Sequence, residues 1–149
     1  MRIKKENNYK KFLGSLIKKG NKVAAKRILT ESFLDISKKK KIPAYKILNR
    51  VFSRLENFVE IKSIPWGKKK KKTVTLIPFP VKPKRQNFIK VKWILESAKE
   101  DTKKVNFSTK LSLEMYNLLY DKKKSKALAK KKEVRKLIIA NKSNSHFRW

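Results

Sequence analysis

The apolar residues of this chain repeat with one period, then with another, then with the first again, and this alternation constrains the fold. Before residue 60 they recur about every 3.6 residues, the spacing of one face of an α-helix. From Val59 they alternate with polar residues, which is typical of a half-buried strand. The helical spacing returns at Phe88. The pattern predicts helices on both sides of a β-hairpin.

Three helices are predicted before the hairpin. Gly20 suits a left-handed C-cap of the first, and Asn21 can cap the second. The lysine run 38–41 ends the second helix, and Pro43 lies near the first turn of the third. The predicted apolar stripes are Tyr9, Phe12, Leu13, Leu16 and Ile17; Ala25, Leu29, Phe33 and Ile36; and Tyr45, Leu48, Phe52, Leu55 and Val59.

The hairpin is predicted at about residues 59–77. Pro65 and Gly67 are suited to the turn between its strands. The prolines at 78, 80 and 83 argue against a continued central strand. The predicted tip carries Trp66 and a run of positive charges, Lys68, Lys69, Lys70, Lys71 and Lys72.

Three more helices are predicted after the hairpin, with Ser108 as a plausible cap of the fifth. Their stripes are Val91, Ile94, Leu95 and Ala98; Leu111, Met115, Leu118 and Leu119; and Val134, Leu137 and Ile138. The predicted fold is mainly α, with about six helices in a single bundle-like domain and a long β-hairpin inserted after the third helix. Residues 1–11 are interpreted as a basic N-terminal arm and residues 12–149 as the domain.

The charge of the chain favours phosphate-rich partners. Forty-three Lys and Arg stand against eleven Asp and Glu, a formal net charge of +32. The hydrophobic content of 40% is too high for a disordered polycation, so we expect the chain to fold. The absence of cysteine excludes disulfides and thiolate sites. No apolar run approaches the roughly 18 residues that span a bilayer.

Catalysis has little support in the sequence. His146 is the only histidine, and the carboxylates show no spacing typical of acid–base catalysis or of a metal site. The pairs Glu56 and Glu60, and Glu96 and Glu100, are interpreted as surface charges one helical turn apart. We therefore expect no enzymatic activity, no metal and no cofactor.

Basic regions with interleaved aromatic residues suit a folded RNA, through phosphate contacts and stacking on unpaired bases. Trp93 is interpreted as a core aromatic, whereas Trp66 suits stacking on a base or packing on a neighbouring protein. A DNA-compacting protein is compatible with the same charge, and the first twenty residues suggest a membrane-surface amphipathic protein as a third reading. The basic regions comprise Lys10, Lys11, Lys18, Lys19 and Lys22; the hairpin tip; and Lys82, Lys84 and Arg85.

Four stretches, in order, resemble small-subunit ribosomal protein S seven, the universal uS-seven family. They are "FLGSLIKKGNKVAAKRIL", "PAYKILNRVFSRLENFVEIKS", "VKPKRQNFIKVKWILESA" and "KKKEVRKLIIANKSNSHFRW". The resemblance runs from about Phe12 to Trp149. Its most specific parts are the segment leading to Lys92-Trp93-Ile94-Leu95-Glu96 and the ending, which resembles the family's Ala-Asn-(Lys/Arg)-x-x-x-His-(Tyr/Phe)-Arg-Trp.

The resemblance implies a structural protein that binds the 3′ major domain of small-subunit ribosomal RNA and organises assembly of the subunit head. It implies a place near the messenger exit, with exit-site transfer RNA, messenger RNA and neighbouring head and platform proteins as partners; no homo-oligomer is expected. The positions it implies for ribosomal RNA contact are Lys18, Lys19, Lys22, Lys62, Lys82, Lys84, Arg85, Lys92 and Arg148. The tail residues His146, Phe147 and Trp149 either pack on the domain or stack on RNA.

A departure in the hairpin limits what carries over. The family hairpin has paired arginines and a Gly-Gly turn, whereas here Ser63 is followed by Ile64-Pro65-Trp66-Gly67 and the lysine run. A contact of the tip with transfer RNA therefore does not carry over directly.

The sequences "WILESA" and "HFRW" resemble those of mitochondrial members, and the lysine and asparagine excess suits an A/T-rich organelle genome. We expect an organelle-encoded protein of the mitochondrial ribosome, in the matrix, with a plastid or a bacterial cytoplasm as alternatives.

Overall fold

The predicted fold class is confirmed. The computed structural model describes residues 2–66, 73–102 and 104–148, and the side chains of residues 8–65, 74–102 and 104–147. Within these residues, helices precede and follow one antiparallel hairpin, which comes after the third helix. The elements are α1 (Arg2–Leu16), α2 (Lys22–Lys40), α3 (Ala44–Arg54), β1 (Val59–Trp66), β2 (Thr73–Pro80), α4 (Pro83–Lys99), α5 (Phe107–Leu119) and α6 (Lys126–Ala140), followed by a 3-10 segment, the tail helix (Lys142–Arg148).

The helices enclose one apolar core. α2 packs on α5, α5 on α4, and α1 on α4. Fully buried side chains come from each part of the bundle, among them Phe12, Leu29, Ile94 and Leu111. Phe12 meets Phe52 edge-on, with ring centroids 6.4 Å apart. Burial of one such side chain stabilises the fold by roughly 1.5–3 kcal/mol, so the bundle is a rigid frame for the hairpin.

The ends of the helices follow the predicted signals where those signals are local. The Asn21 side chain accepts a hydrogen bond from the Ala24 amide at 2.9 Å, and Gly20 has a φ of 75°. α4 begins at Pro83, which suits the first turn of a helix because proline lacks an amide hydrogen. Lys84 and Arg85 therefore lie in the first turn of α4 and not in a connection.

The predicted stripe of α3 is partly wrong. Tyr45 is 53% exposed, while Ile47 and Val51 are fully buried. Both sets recur at helical spacing, and the packing of α3 on α1 and α2 decides which one faces the core. Val59, placed in the same stripe, belongs to β1.

The predicted cap of α5 is also wrong. Asn106 is the N-cap, and Ser108 is buried inside the first turn. The Ser108 carbonyl accepts a hydrogen bond from the Ser32 hydroxyl of α2 at 2.9 Å. This contact joins α2 to α5 within the core.

α6 lies at the edge of the bundle. Ala127 is its one fully buried residue in the described part of the chain. Of the predicted stripe, Val134 and Ile138 are half-buried, but Leu137 is exposed. Only part of the stripe faces the core, because only one side of α6 packs on α4, α5 and β1.

Prolines shape the hairpin without breaking it. Pro65, Pro78 and Pro80 occupy the same alternate set of cross-strand pairs as Ser63 and Leu76. Residues in alternate pairs of an antiparallel ladder direct their backbone groups outward, so proline costs no cross-strand hydrogen bond there. The prolines thus exclude a central strand but not an edge strand, and β2 continues to Pro80. The prediction that Pro65 belongs to the turn is wrong, since Pro65 lies in β1; Gly67 lies outside the described residues.

Candidate nucleic-acid interface

Phe88 brings two basic regions together. Its ring lies between the ammonium group of Lys11, 5.3 Å from the ring centroid, and the guanidinium group of Arg85, 5.2 Å from it. The side-chain amide of Asn87 donates a hydrogen bond to the side-chain carbonyl of Asn8 at 2.8 Å. These contacts hold α1 against the first turns of α4. In the sequence, Phe88 marks only the return of helical spacing and is not among the predicted contact residues, although an aromatic residue just after a basic segment was the available signal.

The hairpin base joins the same surface. Arg85 Nε donates a hydrogen bond to Glu60 Oε2 of β1 at 3.1 Å. Lys62 of β1 lies over the ring of Phe79, 4.6 Å from its centroid. Exposed cations of α1 and the start of α4 thus meet at Phe88, and the contact of Arg85 with Glu60 joins β1 to them. We call this surface the basic face, and it comprises Lys10, Lys11, Lys62, Lys82, Lys84 and Arg85, all exposed.

Four predicted contact residues lie outside the basic face. Lys18, Lys19 and Lys22 are exposed at the connection between α1 and α2, about two helical turns from Lys11. Lys92 is exposed on α4, and its ammonium group lies 3.7 Å from Glu96. The structure places these lysines as extensions of the basic surface and does not join them to the cluster around Phe88.

The tail covers the hairpin. α6 packs on β1, and the tail helix packs across β2. The side-chain amide of Asn144 donates a hydrogen bond to the Leu76 carbonyl at 3.1 Å, on the outward edge of β2. The rings of His146 and Phe147 lie against each other, with centroids 3.9 Å apart and a tilt of 40°, and both residues remain exposed. The predictions for Lys68 to Lys72 and Trp149, and for the side chains of Trp66 and Arg148, lie outside the described part of the chain.

A second set of cations points inward. Lys90 is only 5% exposed, with its ammonium group 4.0 Å from Glu56 and 5.8 Å from the centroid of Phe52. Lys131 of α6 donates a hydrogen bond to the Arg54 carbonyl at the end of α3, at 2.7 Å. Burial lowers the pKa of both lysines, and the negative charge of Glu56 opposes this shift. These lysines anchor the base of the hairpin and α6, and Lys90 is not accessible to RNA.

Carboxylates hold α6 in place. Lys130 lies 2.6 Å from Glu100 and 3.5 Å from Glu96, the pair interpreted as surface charges. Burial acts to lower the pKa of Lys130, but the hydrogen bond with Glu100 and the charges of both carboxylates outweigh it and raise the pKa. Glu96 and Glu100 therefore join α4 to α6 and are more than solvated charges.

The chemistry available at this interface is that of a polyanion-binding surface. Among the described residues, no group of three or more His, Asp or Glu side chains could hold a metal ion. None of the described helices is long and apolar enough to cross a membrane. The basic face presents exposed cations beside the rings of Phe88 and Phe79, an arrangement that suits phosphates and unpaired bases.

Comparisons with known proteins agree with this geometry. The family model described as ribosomal protein S7p/S5e matches residues 2–142. The chain is 28% identical to small ribosomal subunit protein uS7 of Pelagibacter ubique over 141 residues, covering 93% of this chain and 85% of that protein. It is also 28% identical to small ribosomal subunit protein uS7m of Reclinomonas americana over 144 residues, covering 97% and 86%. The chain belongs to the ribosomal protein S7p/S5e family, and it is a small-subunit ribosomal protein.

Proposed function

We propose that this protein binds the 3′ major domain of small-subunit ribosomal RNA through the basic face and organises assembly of the subunit head. The observation that carries the proposal is the convergence of α1, α4 and the hairpin base around Phe88 and Arg85. Fixed cations lose less conformational freedom on binding phosphate than free lysines do. The contacts of Lys11 and Arg85 with Phe88 therefore favour specific binding to a defined RNA surface over nonspecific attraction between opposite charges.

The anchoring of the hairpin to α4 and to the tail supports a role near the messenger exit. Its base is tied to α4 by Arg85 and its outer edge to the tail by Asn144, so its direction relative to the bundle is determined. We propose that the hairpin extends toward exit-site transfer RNA and messenger RNA, while head and platform proteins cover other surfaces. The role is structural, and it requires no reaction.

We further propose the mitochondrial ribosome as the site of action. The support is the similarity to the uS7m protein of Reclinomonas americana, together with the sequence of the tail, which resembles that of mitochondrial members. Bacterial uS7 proteins are similar at the same level, for example the protein of Thioalkalivibrio sulfidiphilus at 29% identity over 141 residues. Sedimentation of an organelle lysate tests the location: the protein should migrate with small subunits of mitochondrial ribosomes, and its absence from them would refute it.

Binding to RNA is tested by competition. The full chain is bound to a labelled 3′ major domain RNA fragment at moderate salt and challenged with unlabelled fragment or with duplex DNA. We expect the RNA fragment to compete at a much lower concentration than duplex DNA does, because a positioned surface recognises RNA shape. Equal competition would favour the DNA-compacting alternative and refute the proposal. The affinity should also fall steeply with salt, since each phosphate contact releases counterions.

A further inference from the structure

Two tyrosines beneath a lysine run form a second aromatic and cationic site, on elements that do not contribute to the basic face. The rings of Tyr116 on α5 and of Tyr120, the C-cap of that helix, lie 4.9 Å apart at an interplanar angle of 36°. The Lys40 ammonium group lies 4.7 Å from the Tyr120 centroid and 5.6 Å from the Tyr116 centroid. Lys39 lies 6.0 Å from Tyr116. Tyr120 is 38% exposed, so the pair is accessible to a ligand.

The lysine run at this site is held in place by the end of α2. Lys38, Lys39 and Lys40 form its last turn, and Lys41 is the C-cap, in the left-handed region with a φ of 49°. All four are exposed. The helix dipole favours cations here, but it does not require two adjoining aromatic rings beside them. The combination of rings and cations resembles the stacking platforms that bind single-stranded nucleic acid.

A cavity adjoins the tyrosine pair. It has a volume of about 240 Å³ and lies between α2, α5 and the connection that precedes α5. Tyr116 and Lys39 border it, Val105 and Leu113 give it apolar surface, and Asp35 supplies a carboxylate. Asp35 forms no hydrogen bond or ion pair with the described residues. The volume lies below the roughly 300 Å³ at which pockets for drug-sized ligands begin, and a single nucleobase fits it better.

We propose that this tyrosine–lysine site binds one unpaired RNA nucleotide. The base enters the cavity against Tyr116, Asp35 accepts hydrogen bonds from the base edge, and Lys39 and Lys40 contact the adjoining phosphates. Because an ionised carboxylate only accepts hydrogen bonds, guanine suits it best, with two adjacent donors on its Watson–Crick edge. The inference rests on the proposed function and deepens it by naming a second RNA contact and the form of RNA it takes.

Charge favours RNA over a protein ligand at this site. An arginine side chain of a neighbouring protein would also suit the Asp35 carboxylate and the tyrosine rings. A basic segment carrying that arginine would, however, meet Lys38 to Lys41 at the rim, where like charges repel it. A phosphate backbone meets the same lysines with attraction.

The test compares RNA hairpins that differ at one position. Binding of the full chain is measured by fluorescence anisotropy with a hairpin that carries a single bulged guanosine, the same hairpin fully paired, and one with a bulged uridine. Nonspecific binding to the basic face is common to all three and cancels in the comparison. We expect the bulged guanosine to bind about tenfold more tightly than the paired hairpin, the order of one stacking contact. Equal affinities would overturn the proposal.

Variants locate the preference. Tyr120→Leu and the isosteric Asp35→Asn should each reduce it to about twofold or less, while the surface variants Lys26→Gln and Lys46→Gln, at exposed positions outside this site, should retain it. A preference for the bulged guanosine that persists in Asp35→Asn and Tyr120→Leu would overturn this site. An arginine-containing peptide whose competition depends on Asp35 would overturn it as well, if binding of the bulged hairpin does not depend on Asp35. Binding of the 3′ major domain fragment should survive in all four variants. If the wild-type chain does not bind the fragment, the proposed function itself is refuted, and not only the tyrosine–lysine site.

Discussion

The hydrogen bond between Asn144 and Leu76 should hold the tail on the hairpin, and its loss has a definable magnitude. Asn144 is half-buried and donates to a carbonyl on the open edge of β2 at 3.1 Å. A hydrogen bond of this kind contributes about 1 kcal/mol net, equivalent to about a fivefold change in an equilibrium constant. Replacing Asn144 with Ala should therefore increase the population with an undocked tail about fivefold, without unfolding the bundle.

Native-state hydrogen exchange measures this directly, because it reports local opening separately from global unfolding. The informative amides are those of Lys62 and Ile77, which form a hydrogen-bonded pair of the hairpin beside the tail. In Asn144→Ala they should exchange about fivefold faster than in wild type. Amides in the middle of α2 and α5 should keep their wild-type rates, since the tail helix packs mainly on β2 and α6.

A matched control lies one residue away. Ser143 belongs to the same tail helix and is exposed, so Ser143→Ala should leave the exchange of Lys62 and Ile77 unchanged. Unchanged hairpin exchange in Asn144→Ala would refute the reasoning. Equal acceleration in α2 and α5 would refute it as well, since the tail would then stabilise the whole domain and not the hairpin.

Two further predictions concern buried charges. Because burial lowers the pKa of Lys90 in the folded state, the unfolded chain binds more protons between that lowered pKa and the ordinary value, and the stability of the wild type rises with pH across this alkaline window. In urea denaturation, Lys90→Met should show a smaller rise, since Lys131 keeps its lowered pKa, and it should be more stable than wild type at neutral pH by about 1 kcal/mol; lower stability than wild type at neutral pH, or an unchanged alkaline rise, would contradict this. Glu114 is buried and accepts hydrogen bonds from the Ser125 hydroxyl at 2.8 Å and the Ala127 amide at 3.0 Å. Glu114→Leu should lower the free energy of unfolding by about 2–4 kcal/mol, because it leaves both donors unpaired. The control Glu133→Leu, on the exposed side of α6, should change it little. Comparable losses in the two variants would show that the hydrogen bonds of Glu114 do not stabilise the fold.

The sequence predicts the elements of this fold because their signals are local. The Asn21 cap spans three residues, and each apolar stripe repeats within a few turns. Local spacing does not decide between two possible stripes on one helix, and this is why the sequence predicts Tyr45 in the core in place of Ile47. Only the neighbouring helices make that choice.

The candidate site was predictable in its parts but not in its arrangement. The exposed lysines of α1 and α4 were recognisable from the basic segments, whereas the Phe88 contacts that join them depend on how α1 packs on α4. The contacts that determine the position of the hairpin and α6 join residues far apart in the chain: Asn144 and Leu76 are separated by 68 positions, and Lys131 and Arg54 by 77. No spacing in the sequence encodes such pairs.

The central claim is that the arrangement of cations on the basic face, and not the total charge, binds ribosomal RNA. The most direct test is the affinity for the 3′ major domain fragment of a triple variant, Lys11→Gln, Lys84→Gln and Arg85→Gln. Its control is a second triple variant that loses the same charge at exposed positions, Lys26→Gln, Lys46→Gln and Lys99→Gln. We predict that the basic-face variant loses about 10- to 100-fold in affinity, with a salt dependence shallower by about two phosphate contacts, while the control loses less than about threefold. Equal losses in the two variants would contradict the account.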